Sequence, residues 1–144
     1  ASGIWEVRAG VQHYVFSKVM CWVELDRGIK MAEQLDLEAD LERWKAERQA
    51  VHAEVMERGW NEEKQAFVQH YGTDALDASN LQIGIVGFLP RDHPRVKATI
   101  EATIRELTSD DQELVYRYVN PDGLPGERLL DLHLLARRRP HPLR

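Results

Sequence analysis

The chain has 144 residues, of which 43% are hydrophobic and 30% charged, with a formal net charge of −5. That size and balance fit one domain and exclude a mainly disordered chain. An acidic total gives no ground for a nucleic-acid partner, and no apolar run approaches the ~20 residues of a membrane span.

Residues 1–13 read as a loop, with Gly3 and Gly10 and no sustained period. From about Val15 to Leu35, Val19, Trp22, Val23, Ile29 and Ala32 recur at helical spacing with charges between them. A second helix is predicted from about Ala39 to Arg58, striped by Leu41, Trp44, Arg48, Val51 and Val55, with Gly59 placed to stop it. Ala66-Phe67-Val68 then forms a short extended piece within a connection.

A third, shorter helix is expected from about Asp77 to Val86, apolar nearly all round through Leu81, Ile83, Ile85 and Val86. The fourth begins at Pro94, a favoured first-turn residue, preceded by Asp92 or His93 as cap. Its stripe is Val96, Ile100, Ile104 and Leu107. Leu114 to Tyr118 reads as a short strand, and Pro121-Asp122-Gly123 as a turn. Helix, loop, helix with uneven connections is an all-α pattern of helical hairpins side by side.

Cys21 is alone, so it has no internal disulfide partner, and its place on a helix suits a small buried residue. A reducing, cytoplasmic home is the default. The six histidines (His13, His52, His70, His93, His133 and His141) make no pair at metal-ligand spacing, so neither a metal nor another cofactor is expected. Neither a phosphate-cradling glycine loop nor a nucleophile elbow is present. The basic residues concentrate only at Arg137-Arg138-Arg139, and Ala1 does not read as a natural translation start.

One carboxylate stands out. In Gly3-Ile4-Trp5-Glu6-Val7-Arg8 an acid lies beside an indole and near a guanidinium, just before a long helix. An acid against an apolar ring tends to keep its proton, and a nearby cation opposes that tendency. A carboxyl tuned between the two suits acid catalysis of glycoside cleavage, although a solvated Glu6 near a terminus would carry the same letters.

Gly3 to Arg8, Ser17-Lys18-Val19-Met20 to Asp26-Arg27, Leu76-Asp77-Ala78-Ser79, Val86-Gly87-Phe88-Leu89-Pro90 and Leu114-Val115-Tyr116-Arg117-Tyr118 occur in this order. Together they resemble the catalytic domain of glycoside hydrolase family 15, the glucoamylase and trehalase-like enzymes, over residues 3–127. The resemblance implies part of an (α/α)6 toroid, in which helical hairpins build two concentric rings of twelve helices, with about four supplied here. The missing remainder of the parent barrel is then a partner, and inner-ring faces would stand exposed without it. The family also usually carries an N-terminal β-sandwich domain that this sequence does not contain.

By the same resemblance the activity is inverting, exo-acting hydrolysis of an α-glucoside or trehalose, with the spelling of the motifs leaning to the bacterial trehalase-like branch. Glu6 matches the general acid, Trp5 walls the pocket for the terminal glucose, and Arg117 donates to substrate hydroxyls. Arg8 suits either a salt bridge or sugar hydroxyls, and a strand arginine such as Arg117 could equally point into water. Trp22, Trp44 and Trp60 are read as packing residues. Lys18 and Asp26, eight residues apart on one helical face, are read as structural ion-pair formers.

The likeness stops after Glu127. The family continues with an apolar helix of the type G-A-F-W-I-C-T-F-W-L-A. Written in GC-rich codons and stripped of its first two bases, that helix translates as R-L-L-D-L-H-L-L-A-R, which is residues 128–137 as they stand. A reading-frame shift directly after Glu127 is therefore expected, making residues 128–144 an aberrant tail and removing the second glutamate that serves as general base. Glu127 does not match the base's motif and is not assigned that role. The alternative is a non-catalytic helical interaction module that docks through a native, basic, Leu-rich tail. It predicts a self-sufficient monodisperse fold, whereas the enzyme reading predicts exposed apolar surface.

Overall fold

The computed structural model describes residues 12–109, 114–119 and, as backbone, 128–131. Two long helices lead: α1, Val15–Leu35, and α2, Leu41–Arg58. Their junction is short because Asp36 adopts a left-handed conformation (φ 50°), and Leu37 N–H donates back to the Ala32 carbonyl at 2.9 Å. Asp40 then caps α2, accepting the Arg43 N–H at 3.2 Å, so the chain reverses into a helical hairpin. The second helix thus starts at Leu41, after its cap, and not at Ala39.

The helix α2 ends at Gly59. A Cβ at that position would lie 2.7 Å from the Val55 carbonyl oxygen and 3.1 Å from Val15 Cγ2, so α1 and α2 close on each other where a side chain is missing. The antiparallel pair β1 (Trp60–Asn61) and β2 (Ala66–Phe67) follows, in the register Trp60 to Phe67 and Asn61 to Ala66. Asn61 holds its turn by accepting the Glu63 and Lys64 N–H groups at 2.9 and 3.0 Å.

The segment read as a third α-helix is a shorter 3-10 helix, Ala78–Ile83. Its polar residues decide this. Asp77 caps it through the Ser79 N–H at 2.8 Å, and the buried Asn80 donates to the carbonyls of Phe67 and Val68 at 3.2 and 2.9 Å. Those bonds fix the turn to β2 and its connection, where apolar periodicity alone implied a freely packing α-helix. Ile85, counted among the buried residues of that helix, is 67% exposed.

Next comes α3, Pro94–Leu107, capped by His93, whose Nδ1 accepts the Arg95 N–H at 3.1 Å. Its buried side is Val96, Thr99, Ala102, Thr103 and Leu107. The predicted stripe is therefore half right: Val96 and Leu107 are inside, but Ile100 and Ile104 face outward at 38% and 59% exposure. Two threonines, Thr99 and Thr103, replace them inside, and Thr99 works as a hydrogen-bonding strut. Its hydroxyl donates to Arg95 O at 2.7 Å and accepts the Phe67 N–H at 3.1 Å.

Finally β3, Leu114–Tyr116, pairs antiparallel with β4, Arg128–Asp131. The Leu-rich segment thus opens as a strand. Most of the described regular structure is helical, with four short strands in two pairs. Two apolar clusters make the core. One gathers Val15, Val19, Val55, Phe67, Phe88 and Leu89 between α1, α2 and the loop before α3, and the other gathers Val68, Leu76, Ala102, Leu107 and Val115 around β3. Trp22 and Trp60 pack against the first cluster, edge-on to Phe88 and Phe67 with ring centroids at 5.2 and 5.3 Å. Trp44 is half-buried against Gly28. Cys21 is a half-buried free thiol. Among the described residues no helix is long and apolar enough to cross a membrane.

Candidate active site

Trp5, Glu6 and Arg8 lie outside the described residues. Where the chain enters the described part, it is tied down at once. The Val15 N–H donates to Gln69 O at 3.0 Å and the Tyr71 N–H to His13 O at 3.1 Å, while His13 stacks on the Tyr71 ring.

Arg117 is placed directly after β3. Three links position it. The Ala78 N–H donates to the Arg117 carbonyl at 2.7 Å, joining its backbone to the start of the 3-10 helix. The Ser109 N–H donates to Leu114 O at 2.9 Å and Leu114 N–H to Ser109 Oγ at 3.1 Å, tying β3 to the end of α3. Third, Asp77 Oδ1 approaches Arg117 Nε at 3.6 Å, with the two side chains only 6% and 18% exposed. The arginine is therefore turned inward and does not alternate into water. Its guanidinium carbon also lies 5.8 Å from the Tyr118 ring centroid.

At 3.6 Å the Asp77–Arg117 contact is an ion pair and not a hydrogen bond, and Arg117 Nε is buried without a hydrogen-bond partner. Asp77 is a residue that the sequence reading quoted in a motif but gave no role. The signal was available: Asp77, Ser79 and Asn80 put three polar side chains into a run otherwise apolar, and all three are buried.

The other flagged charges are structural. Lys18 pairs with Glu54 of α2 at 3.1 Å. Asp26 is 3% exposed and accepts from Arg27 at 2.6 Å, Lys30 at 2.7 Å and Arg48 at 3.0 Å. Burial alone would push its carboxyl up, but hydrogen bonds and charge from Lys30, with Arg27 and Arg48, outweigh that and hold it below the ordinary carboxylate range. A carboxylate so occupied is no proton donor. It lines an open cleft of about 690 Å³ between α1 and α2, together with Trp22, Lys30, Arg48 and His52. There His52 stacks on Phe88 at 4.6 Å, and burial pushes the imidazole down despite a hydrogen bond with the Phe88 backbone.

Residues 1–127 match the family model described as glycosyl hydrolases family 15. The trehalase of Mycobacterium tuberculosis is 46% identical over 126 residues, 87% of this chain and 18% of that protein. The trehalase of Thermoplasma volcanium is 38% identical over 126 residues, 88% of this chain and 20% of the relative. The chain thus spans about a fifth of the length of these curated relatives. Among solved structures, a wild-type glycosidase superimposes with a TM-score of 0.68 at 18% identity, over 81% of this chain and 30% of that one. A glycosidase E335A in complex with glucose gives 0.67 over the same shares. These likenesses carry the toroid-type helical fold.

Proposed function

Because the chain belongs to the glycosyl hydrolases of family 15, we propose that residues 1–127 are part of the catalytic domain of an inverting, exo-acting α-glucosidic hydrolase whose substrate is trehalose. The observation that carries this reading is the 46% identity to a trehalase across 126 residues. It is supported by an inward-facing arginine at the motif position of Arg117. The relatives named trehalase favour trehalose among sugar substrates, with an α-glucan the alternative.

In this reading Glu6 is protonated at rest and delivers its proton to the departing glycosidic oxygen. Trp5 supplies an apolar wall that favours the neutral acid and stacks against the terminal glucose. Arg8 and Arg117 bind sugar hydroxyls, Arg117 with a planar fork of donors carried just past the end of β3. Inversion also needs a second carboxyl, about 6.5–9.5 Å from the first, to activate water on the opposite face of the ring. No residue of 1–127 is assigned that task. The match ends at residue 127, where the codon argument puts a change of reading frame, and this supports treating residues 128–144 as foreign to the family domain.

The test compares the 144-residue chain with a product in which the frame after Glu127 is restored and the coding region is extended at both ends to the length of the relatives. Trehalose is the substrate, and glucose release and product anomer are read by NMR. The extended protein is expected to release one glucose as the β-anomer first, and Glu6→Gln in it to lower kcat by roughly 10²–10⁴-fold. The 144-residue chain is expected to stay near background. Robust glucose release from it would overturn the account of the base, and an undiminished Glu6→Gln enzyme would overturn the acid.

A further inference from the structure

We propose that Asp77 is the positioning residue for Arg117, holding the guanidinium so that its two terminal nitrogens face the sugar. The inference rests on the reading of Arg117 as a sugar ligand and adds the group that aims it. Arginine has a long side chain with several free torsions, and a ligand that must meet hydroxyls in fixed directions gains from having them frozen beforehand. Arg117 has that restraint at both ends. Its carbonyl accepts the Ala78 N–H at 2.7 Å, and its Nε lies 3.6 Å from Asp77 Oδ1, so consecutive residues of one turn hold its backbone and its side chain.

The carboxylate is itself rigid. Asp77 caps the 3-10 helix by accepting the Ser79 N–H at 2.8 Å, and the same helix is locked to β2 and its connection through Asn80. An acid fixed in this way defines a direction. Because it addresses Nε, it fixes rotation about the Cδ–Nε bond and leaves the terminal-nitrogen fork to point the other way. Arg117 Nε is also a buried donor with no hydrogen-bond partner, and a move of a few tenths of an ångström toward Asp77 satisfies it. Substrate drawing on the fork is expected to complete that move.

The experiment uses the frame-restored protein extended to the length of the relatives, labelled with ¹⁵N, with glucose as the probe, and follows the arginine side-chain NH signals. In the wild type, Arg117 Nε–H is expected to be ordered and slow to exchange, and glucose to shift its signals. Asp77→Asn keeps an oxygen for the Ser79 N–H but removes the charge. It is expected to loosen Arg117 Nε–H and weaken glucose binding about tenfold, the worth of the charge-assisted hydrogen bond that substrate completes, with the backbone spectrum of the 3-10 helix unchanged. Arg117→Lys should lose the glucose response while Asp77 keeps its cap. A mobile, fast-exchanging Nε–H in the wild type, which needs no variant to fold, overturns the positioning role alone. An ordered Nε–H with no glucose response overturns Arg117 as a sugar ligand, and with it any positioning for substrate. An Asp77→Asn chain whose Arg117 signals and glucose affinity equal the wild type overturns the positioning role while sparing the arginine.

Discussion

Replacing Asp26 with Asn probes the α1–α2 hairpin at its most charged point. The native carboxylate is almost fully buried and bonded by Arg27, Lys30 and Arg48 at 2.6, 2.7 and 3.0 Å. Asn keeps the shape and one acceptor but loses the charge. Cutting a fully buried pair costs about 3–5 kcal/mol because the survivor is stranded. Here the survivors can rehydrate, since Arg27 and Lys30 are each 54% exposed and Arg48 is 32% exposed.

The net loss at pH 7 should therefore be about 1.5–2.5 kcal/mol, most of it from Arg48, the contact that crosses to α2. For a domain of this length that lowers Tm by roughly 5–8 °C. The sign with pH follows from the depressed carboxyl. Its stabilisation is fully present above the unfolded value of 3.8 and fades as pH falls through the lower folded value. Urea unfolding, which leaves ionic strength unchanged, should show a constant Asn penalty from about pH 5 to 8 and a shrinking one toward about pH 2.5. A penalty of the same size at both ends, or none at pH 7, would refute the reasoning.

Two further outcomes are expected. Gly59→Ala forces a Cβ to within 2.7 Å of the Val55 carbonyl oxygen although the backbone angle suits alanine, so urea unfolding should show a loss of about 1–3 kcal/mol. Tyr71 is pushed up to about 12 by burial, reinforced by Glu54 and opposed by Arg58, so absorbance near 295 nm should still show a phenol ionising near pH 12. Phenylalanine at that position should delete that step, and a titration already complete near 10 would contradict it.

The long helices were readable because their residues obey one rule at a time. Val19, Ile29 and Ala32 bury the face that their spacing marks, and Pro94 behind a His93 cap starts α3 at the expected residue. The reading failed where polar groups took over the interior. Thr99 and Thr103 occupy the buried side of α3, Thr99 with its hydroxyl holding the Phe67 N–H, and the apolar scale counted Ile100 and Ile104 instead. Asp77 and Asn80 turned an expected α-helix into a 3-10 turn for the same reason. Arg117 was picked out by its motif, and its part in binding sugar belongs to the proposal. The ion pair with Asp77, 40 residues away in sequence, joins two loop ends that periodicity does not relate.

The second arm of the helical hairpin carries a further consequence. Val55 is its one fully buried side chain, with Val51 and Met56 leaning on the core from partial cover. Beside apolar ties such as Trp44 against Gly28, it is joined to α1 by the ion pairs Lys18–Glu54, Lys45–Glu33 and Arg48–Asp26. Attraction of that kind fades in concentrated electrolyte, whereas apolar contact does not. In strong brine this arm should peel away before the rest of the molecule loosens, and its amides should trade deuterium first.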